Sequence, residues 1–393
     1  MNGGLGSNDV DAPVLFEEWS TASGMRIGVA TLNRPKTLNG LSLTMACLLE
    51  ERLLAWSSDD GIAMVVLQGA GEKAFCAGGD LHGLYQSMVA YRERGSSDVR
   101  DNLYASDFFS VEYRLDHRIH TYPKPVLCWG HGIVMGGGIG LMAGASHRVV
   151  TERSRMAFPE ITIGLYPDVG GSYLLNRVPS RGGLFLALTG APLDASDAIY
   201  AGLADVELPS ESRPALDEAL RAAAWIDDAS GNAATLSGLL EAMAVHADEG
   251  PLQRHAGAVA DTCAHRELDA VVAAIHGMPG DDPWLVTARQ TLDAGSPGSA
   301  RLAFELQKRA AMLSLADTFR LEYTVSLHCA AHGDFAEGIR ALLIDKDRTP
   351  RWQPHALSGA TAAWAGPFFV DPWAAMSHPL RDLGEDARTR KLA

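Results

Sequence analysis

The stretch PVLCWGHGIVMGGGIGLMA, residues 125–143, decides how the rest of the chain is read. Its first five residues form a short apolar run and suit a buried strand. His131-Gly132 then supplies a turn, and Gly136-Gly137-Gly138 opens a stretch to residue 143 that reads as the start of a helix. A second cluster, Lys73-Ala74-Phe75-Cys76-Ala77-Gly78-Gly79-Asp80, follows a β-branched run at 64–68, and residues 147–151 read as a further strand. Strand, glycine turn and helix alternate, which predicts an α/β architecture. Free N–H groups at such a helix start favour negative charge. Two N–H groups converging from separate loops would make an oxyanion hole. Taken alone, each glycine cluster also reads as a tight turn where a strand meets a helix.

Outward from this stretch, residues 25–32 form a strand candidate closed by the turn signal Asn33-Arg34-Pro35-Lys36. Residues 42–56 repeat apolar positions at helical spacing (Leu41, Met45, Leu48, Leu49, Leu53), with Ser42 or Thr44 as cap. From about 181 the sequence turns Ala- and Leu-rich, with helical segments expected at 195–204, 213–226 and 234–246. Residues 300–329 read as one or two long amphipathic helices. Residues 1–13 read as a flexible N-terminus, and 354–393 carry no clear pattern.

Composition narrows the function. The 393 residues are 47% apolar and 21% charged, within ordinary globular limits, and provide ample length for a substantial core. A net charge of −15 leaves no electrostatic footprint for nucleic acid or an anionic membrane. The 5 cysteines are scattered and never form C-x-x-C, which reads as reduced thiols. The 13 histidines show no H-E-x-x-H spacing, so no metal site is expected. Residues 1–25 contain neither Lys nor Arg, unlike a secretory or transit peptide. Apolar runs fall short of the ~18 residues that suggest a membrane span. The expectation is a soluble, cytoplasmic chain.

Chemistry points to the segment from Ala157 to Gly171. It holds Glu160 and Asp168, each beside a proline in apolar sequence. A carboxylate in apolar surroundings needs a partner or a function, and burial raises its pKa towards acid–base use. The bland alternative is a pair of surface loop carboxylates. His131 reads as a turn residue rather than a base. Arg34, Lys36 and Lys73 flank turns where a phosphate could dock. Gly138-Ile139-Gly140-Leu141-Met142-Ala143 formally fits a dinucleotide-binding G-x-G-x-x-A. Against that, residues 130–137 separate strand from first glycine, and Glu160 follows a proline rather than ending a strand.

Together, Asn33-Arg34-Pro35-Lys36-Thr37-Leu38-Asn39, the cluster ending at Asp80, residues 131–140 and Pro159-Glu160 resemble the crotonase (enoyl-CoA hydratase/isomerase) superfamily over residues 14–205. Tyr166-Pro167-Asp168-Val169-Gly170-Gly171 is similar to the 3-hydroxyisobutyryl-CoA hydrolase branch. So is Asp334-Phe335-Ala336-Glu337-Gly338-Ile339-Arg340 with Ile344-Asp345-Lys346-Asp347. The resemblance implies a repeated ββα catalytic core (14–205), a helical C-terminal region (206–353) and a tail (354–393). It further implies an oxyanion hole from the N–H groups of Gly79 and Gly137, with Glu160 and Asp168 catalytic and Glu112 contacting substrate. Lys36 and Arg34 are the expected contacts for the CoA phosphates. No cofactor is expected, since CoA belongs to the substrate, and a homo-oligomer, trimer or hexamer, is implied. Hydratases of the family carry a first glutamate where this chain has Gly140. That departure favours thioester hydrolysis, as in valine breakdown, over hydration or isomerisation of another acyl-CoA, or non-catalytic acyl-CoA binding.

Overall fold

Residues 26–32 are buried on two sides: Ile27 and Val29 face one hydrophobic cluster, Ala30 and Leu32 another. A strand buried on both faces needs cover on both, which parallel sheets obtain from helices. The computed structural model, which describes residues 11–245, 248–374 and 377–385, provides that cover. Its strands are β1 (Val14–Ser20), β2 (Arg26–Leu32), β3 (Ile62–Gly69), β4 (Ala74–Cys76), β5 (Val126–Gly130), β6 (Ile133–Met135), β7 (His147–Val150), β8 (Arg155–Ala157) and β9 (Val206–Glu207). Six form one sheet in the order β1-β2-β3-β5-β7-β9, antiparallel only between β1 and β2, and three form a parallel sheet, β4-β6-β8.

The core helices are α1 (Leu43–Ser57), α2 (Leu81–Arg94), α3 (Leu103–His120) and α4 (Gly137–Ala143). A long strand, a short strand and a helical turn recur: β3, β4, α2; then β5, β6, α4; then β7, β8 and the 3-10 turn Glu160–Ile163. This is the repeated ββα arrangement expected from the sequence. Because β4, β6 and β8 run parallel, their exits lie side by side. The repeat therefore brings the loops after 76, 135 and 157 to one edge.

The expected strands and the 42–56 helix appear within two residues of their boundaries, with Ser42 capping α1 through a 3.2 Å bond from Met45 N. Residues 300–329 split into two helices, Pro297–Ala310 and Leu315–His332. Helices Arg213–Ala222 and Ala229–Glu241 cover the sheet's outer face, where Leu216, Leu220, Leu236 and Leu240 join Trp19, Ile27, Val29 and Leu127. The part of the tail that is described packs back: Trp373 stacks on Tyr323 with centroids 5.2 Å apart, and Arg114 pairs with Asp382 at 2.8 Å. Residues 1–10 of the expected flexible terminus, and His246 of the expected 234–246 helix, lie outside the described residues. Pro13 does not fray, since its carbonyl accepts from Asn33 N at 2.8 Å. No helix among the described residues is long and apolar enough to cross a membrane.

Candidate active site

At the shared edge of β4, β6 and β8 the two glycine turns meet. Leu41 bridges to Gly79, but the bonds run from Leu41 N to the Gly78 carbonyl (2.8 Å) and from Asp80 N to the Leu41 carbonyl (2.9 Å). The Gly79 N–H is thus left out of the ladder. Gly137 is the first residue of α4, where an N–H has no intrahelical acceptor. Gly136 before it has φ +48°, a left-handed conformation that glycine accepts most readily, and turns the chain into α4. A Cβ built on Gly137 would lie 3.6 Å from Gly79 N and 2.5 Å from Glu112 Oε1. The two turns and one carboxylate therefore crowd a single spot. All three line a cavity of about 670 Å³, together with Glu160 and Asp168.

Three elements supply the cavity's acids. Glu112 comes from α3, whose hydrophobic face (Phe108, Phe109, Tyr113, Leu115) carries it into the interior. Glu160 opens the 3-10 turn after β8, and its Oε1 would sit 3.2 Å from a Cβ on Gly136. Asp168 follows in the adjoining loop, where the Tyr113 hydroxyl lies 2.7 Å from its Oδ2. All three are nearly sealed from solvent, at 2%, 4% and 5% exposure. Burial raises Glu112 and Glu160 well above the ordinary carboxylate range, and the charge of Asp168 adds to both shifts. Burial also lifts Asp168 to about 6, with its hydrogen bonds opposing. Acids held near neutral pH suit proton transfer.

Gly140, where the resemblance sets a glutamate in the hydratases, faces Asp116. A Cβ there would lie 2.6 Å from Asp116 Oδ2 and 2.8 Å from Val169 Cβ. Space for a larger side chain is already taken. Asp116 is fully buried, and neither carboxyl oxygen has a hydrogen-bond partner among the described residues. Burial and the charge of Glu112 raise its pKa well above the usual range.

Glu322 positions the Asp168 loop. From the Leu315–His332 helix it accepts the N–H groups of Gly170 (2.7 Å) and Ser172 (2.8 Å), tying down the loop that carries Asp168. Burial raises it to about 8, against those two donors. Sequence reading missed Glu322, Asp116, Tyr113 and Ser326. The available signal was a polar pair at i, i+4 on an apolar helical face: Glu112 with Asp116, and Glu322 with Ser326.

The remaining expectations divide. Arg34 lines the cavity and donates to the Asp11 carbonyl at 2.9 Å. Lys36 does not join it: the 3-10 turn Pro35–Thr37 carries it to a separate hollow shared with Lys73 and Glu72. His131 is a turn residue as expected, its Nε2 lying 2.8 Å from the Gly71 carbonyl. The downstream motif buttresses the site, and its Phe335 lines the cavity. Asp334 bonds Ser296 Oγ (2.7 Å) and Gln353 N (2.8 Å), Gly338 packs on Ile163, and Arg340 pairs with Glu337, Asp345 and Asp347. Among the described residues no group of three His, Cys, Asp or Glu is placed to hold a metal ion.

Comparison with known proteins agrees with this architecture. The enoyl-CoA hydratase/isomerase family pattern matches residues 27–369. A protein from Danio rerio named 3-hydroxyisobutyryl-CoA hydrolase, mitochondrial, is 37% identical over 366 residues, covering 92% of this chain and 90% of its own. The Homo sapiens protein of the same name is 33% identical, covering 85% and 83%. Among solved structures, one titled as a carnitinyl-CoA dehydratase from Mycobacterium thermoresistibile is 36% identical, with a TM-score of 0.80 and coverage of 92% of this chain and 97% of that one. One titled as an enoyl-CoA hydratase from Rhodobacter sphaeroides is 33% identical, with a TM-score of 0.79 and coverage of 91% and 97%. With the family pattern spanning most of its length and the repeated ββα core in place, this chain belongs to the enoyl-CoA hydratase/isomerase family, with the crotonase fold.

Proposed function

We propose that the chain is an acyl-CoA thioester hydrolase, converting 3-hydroxyisobutyryl-CoA and water to 3-hydroxyisobutyrate and free CoA. The observation that carries it is the filled space at Gly140, where Asp116 and Val169 leave no room for a second glutamate beside the cavity. Adding water across a double bond calls for an acid and a base on the reacting carbons. Cleaving a thioester calls for a polarised carbonyl and one carboxylate as nucleophile or base. The names of the curated relatives support the same activity.

In this mechanism the thioester carbonyl accepts from Gly79 N–H and Gly137 N–H, an oxyanion hole that stabilises the charge built on attack. Glu160 either attacks the carbonyl carbon, giving an anhydride that water opens, or draws a proton from an attacking water. Asp168 moves the proton that the thiolate needs on leaving. Glu112, close to Gly137, accepts the hydroxyl of a 3-hydroxyacyl chain, and Arg34 at the cavity wall faces the CoA phosphates.

A thiol-release panel over short acyl-CoAs tests this. 3-Hydroxyisobutyryl-CoA should be preferred to its unhydroxylated analogue; equal rates would remove the role of Glu112. In single turnover with labelled water, oxygen label in Glu160 marks the anhydride route and its absence marks direct attack. The titles of the two solved structures favour a second reading, hydration of an enoyl-CoA; loss of enoyl absorbance without thiol release would support it. A cytoplasmic location and self-association as a trimer or hexamer are further proposals. The scattered cysteines, never in C-x-x-C, support an intracellular setting, and the Danio rerio and Homo sapiens relatives are named mitochondrial. Fractionation and sedimentation test the two.

A further inference from the structure

Four short contacts run in series from Asp168 into the protein. The Tyr113 hydroxyl lies 2.7 Å from Asp168 Oδ2 and 2.8 Å from Ser326 Oγ. Ser326 Oγ lies 2.7 Å from the Tyr166 hydroxyl, which donates to the Glu322 main-chain carbonyl at 2.6 Å. All five residues are buried. Each contact needs one hydrogen between its two oxygens, and a carbonyl supplies none. Three hydroxyls therefore provide three hydrogens for four contacts. With Asp168 ionised, one pair of buried oxygens faces each other without a hydrogen, which a low-dielectric interior penalises. With Asp168 protonated on Oδ2, the count closes. Asp168 donates to Tyr113, Tyr113 to Ser326, Ser326 to Tyr166, and Tyr166 to the carbonyl.

We propose that Tyr113, Ser326 and Tyr166 are positioning residues that hold the site's shared proton on Asp168, leaving Glu160 ionised and Asp168 as the acid for the departing thiolate. This rests on the hydrolase assignment above. Tyr113 donating to Asp168 favours the ionised carboxylate; once Asp168 carries the proton, Tyr113 gives its hydrogen to Ser326 instead. The titratable groups packed around Asp168 are themselves acids: Glu112, Tyr113 and Asp116 from α3, Glu160 from its turn, Tyr166 from its own loop, and Glu322 and Cys329 from the Leu315–His332 helix. None of these groups is a cation that would stabilise an anion at Asp168, and burial disfavours that anion. Burial alone favours the proton on Glu160, whose Oε2 has no partner among the described residues; the hydroxyl chain shifts that balance towards Asp168.

The step balances on either route. As the carbon–sulfur bond breaks, sulfur takes the bonding pair and the Asp168 proton, and CoA leaves as the thiol. On the anhydride route, Glu160 has formed the new bond to the acyl carbon. Water then attacks the Glu160 carbon of that anhydride: its oxygen stays on Glu160, one of its protons returns to Asp168, and the other leaves with the acyl group as the free acid. On the direct route, Glu160 takes the water proton and passes it to Asp168.

Ser326→Ala tests the chain, because it frees the Tyr113 hydrogen to stabilise ionised Asp168. The limb on which kcat falls with rising pH should move about one unit or more to lower pH for a CoA thioester. Ser326→Thr should keep the wild-type profile. An aryl thioester, whose thiolate departs without a proton, should lack that limb in every variant. A profile for Ser326→Ala that is scaled down but not shifted overturns the proposal, as does an equal defect on both leaving groups. If Ser326→Ala does not fold, Tyr166→Phe removes one hydroxyl and two contacts at the far end, leaving two hydroxyls for two contacts, and should shift the limb the same way. The infrared carboxyl band lost in Asp168→Asn gives the titration of Asp168 without turnover, and its midpoint should fall in Ser326→Ala. Wild-type protein that releases no thiol overturns the hydrolase assignment instead, and the infrared midpoint then judges the chain by itself.

Discussion

Replacing Gly137 with Ala adds a single methyl group at the place where the two glycine turns meet. Gly137 is the first helical residue of α4 and does not have a positive φ, so alanine suits the backbone there. The new Cβ would lie 3.6 Å from Gly79 N, an ordinary contact, but 2.5 Å from Glu112 Oε1, which is too close. Glu112 must swing aside, and the methyl occupies space that a carbonyl oxygen would use. Losing one oxyanion donor costs about 3 kcal/mol, or a factor of 100 to 1,000 in kcat. Displacing the donor from its oxygen should reach that size, so at least a 100-fold fall in thiol release is expected. The melting temperature should stay within a few degrees, since only one carboxylate moves. Activity within fivefold of wild type, with the fold intact, would refute the placement of the carbonyl between Gly79 and Gly137.

Other outcomes follow from the same geometry. Asp168 is raised from 3.8 to about 6 in the fold. Its contribution to stability is therefore full below about pH 4 and is lost as pH rises through 6. Asp168→Asn should accordingly melt higher than wild type at neutral pH, by up to roughly 3 kcal/mol, with the gap closing towards pH 4; a constant gap in melts across that range would contradict the shift. Gly140→Glu should destabilise by about 1–3 kcal/mol or more through overpacking against Asp116 and Val169, and should gain no enoyl hydration, as calorimetry and enoyl absorbance will show. Glu322→Ala leaves the Gly170 and Ser172 N–H groups without their acceptor. The expected cost is roughly 2–4 kcal/mol in denaturant unfolding, with a fall in kcat as the Asp168 loop loosens.

Much of this site was legible because the glycine clusters and Pro159-Glu160 sit at strand exits, where local sequence sets the backbone. Gly79, Gly137, Glu160 and Asp168 were named from that pattern and from the family resemblance, and all four line one cavity. The short strands β4, β6 and β8 were not legible, since three residues are too few to show a period. Long-range partners were equally hidden. Ser326 reaches Tyr113 across 213 positions, and Glu322 reaches Gly170 across 152. Only the folded chain shows that the Leu315–His332 helix closes the back of the site. Lys36 misled because a basic residue beside a turn resembles a phosphate contact, whichever way the turn then faces.

The most direct test follows free thiol and enoyl absorbance together in one reaction with 3-hydroxyisobutyryl-CoA, using wild type and Glu160→Gln. Stoichiometric thiol from the wild type, no change in enoyl absorbance and no thiol from Glu160→Gln is the expected result. Enoyl formation without thiol, or undiminished thiol release from Glu160→Gln, would contradict thioester cleavage by the Glu160 carboxylate.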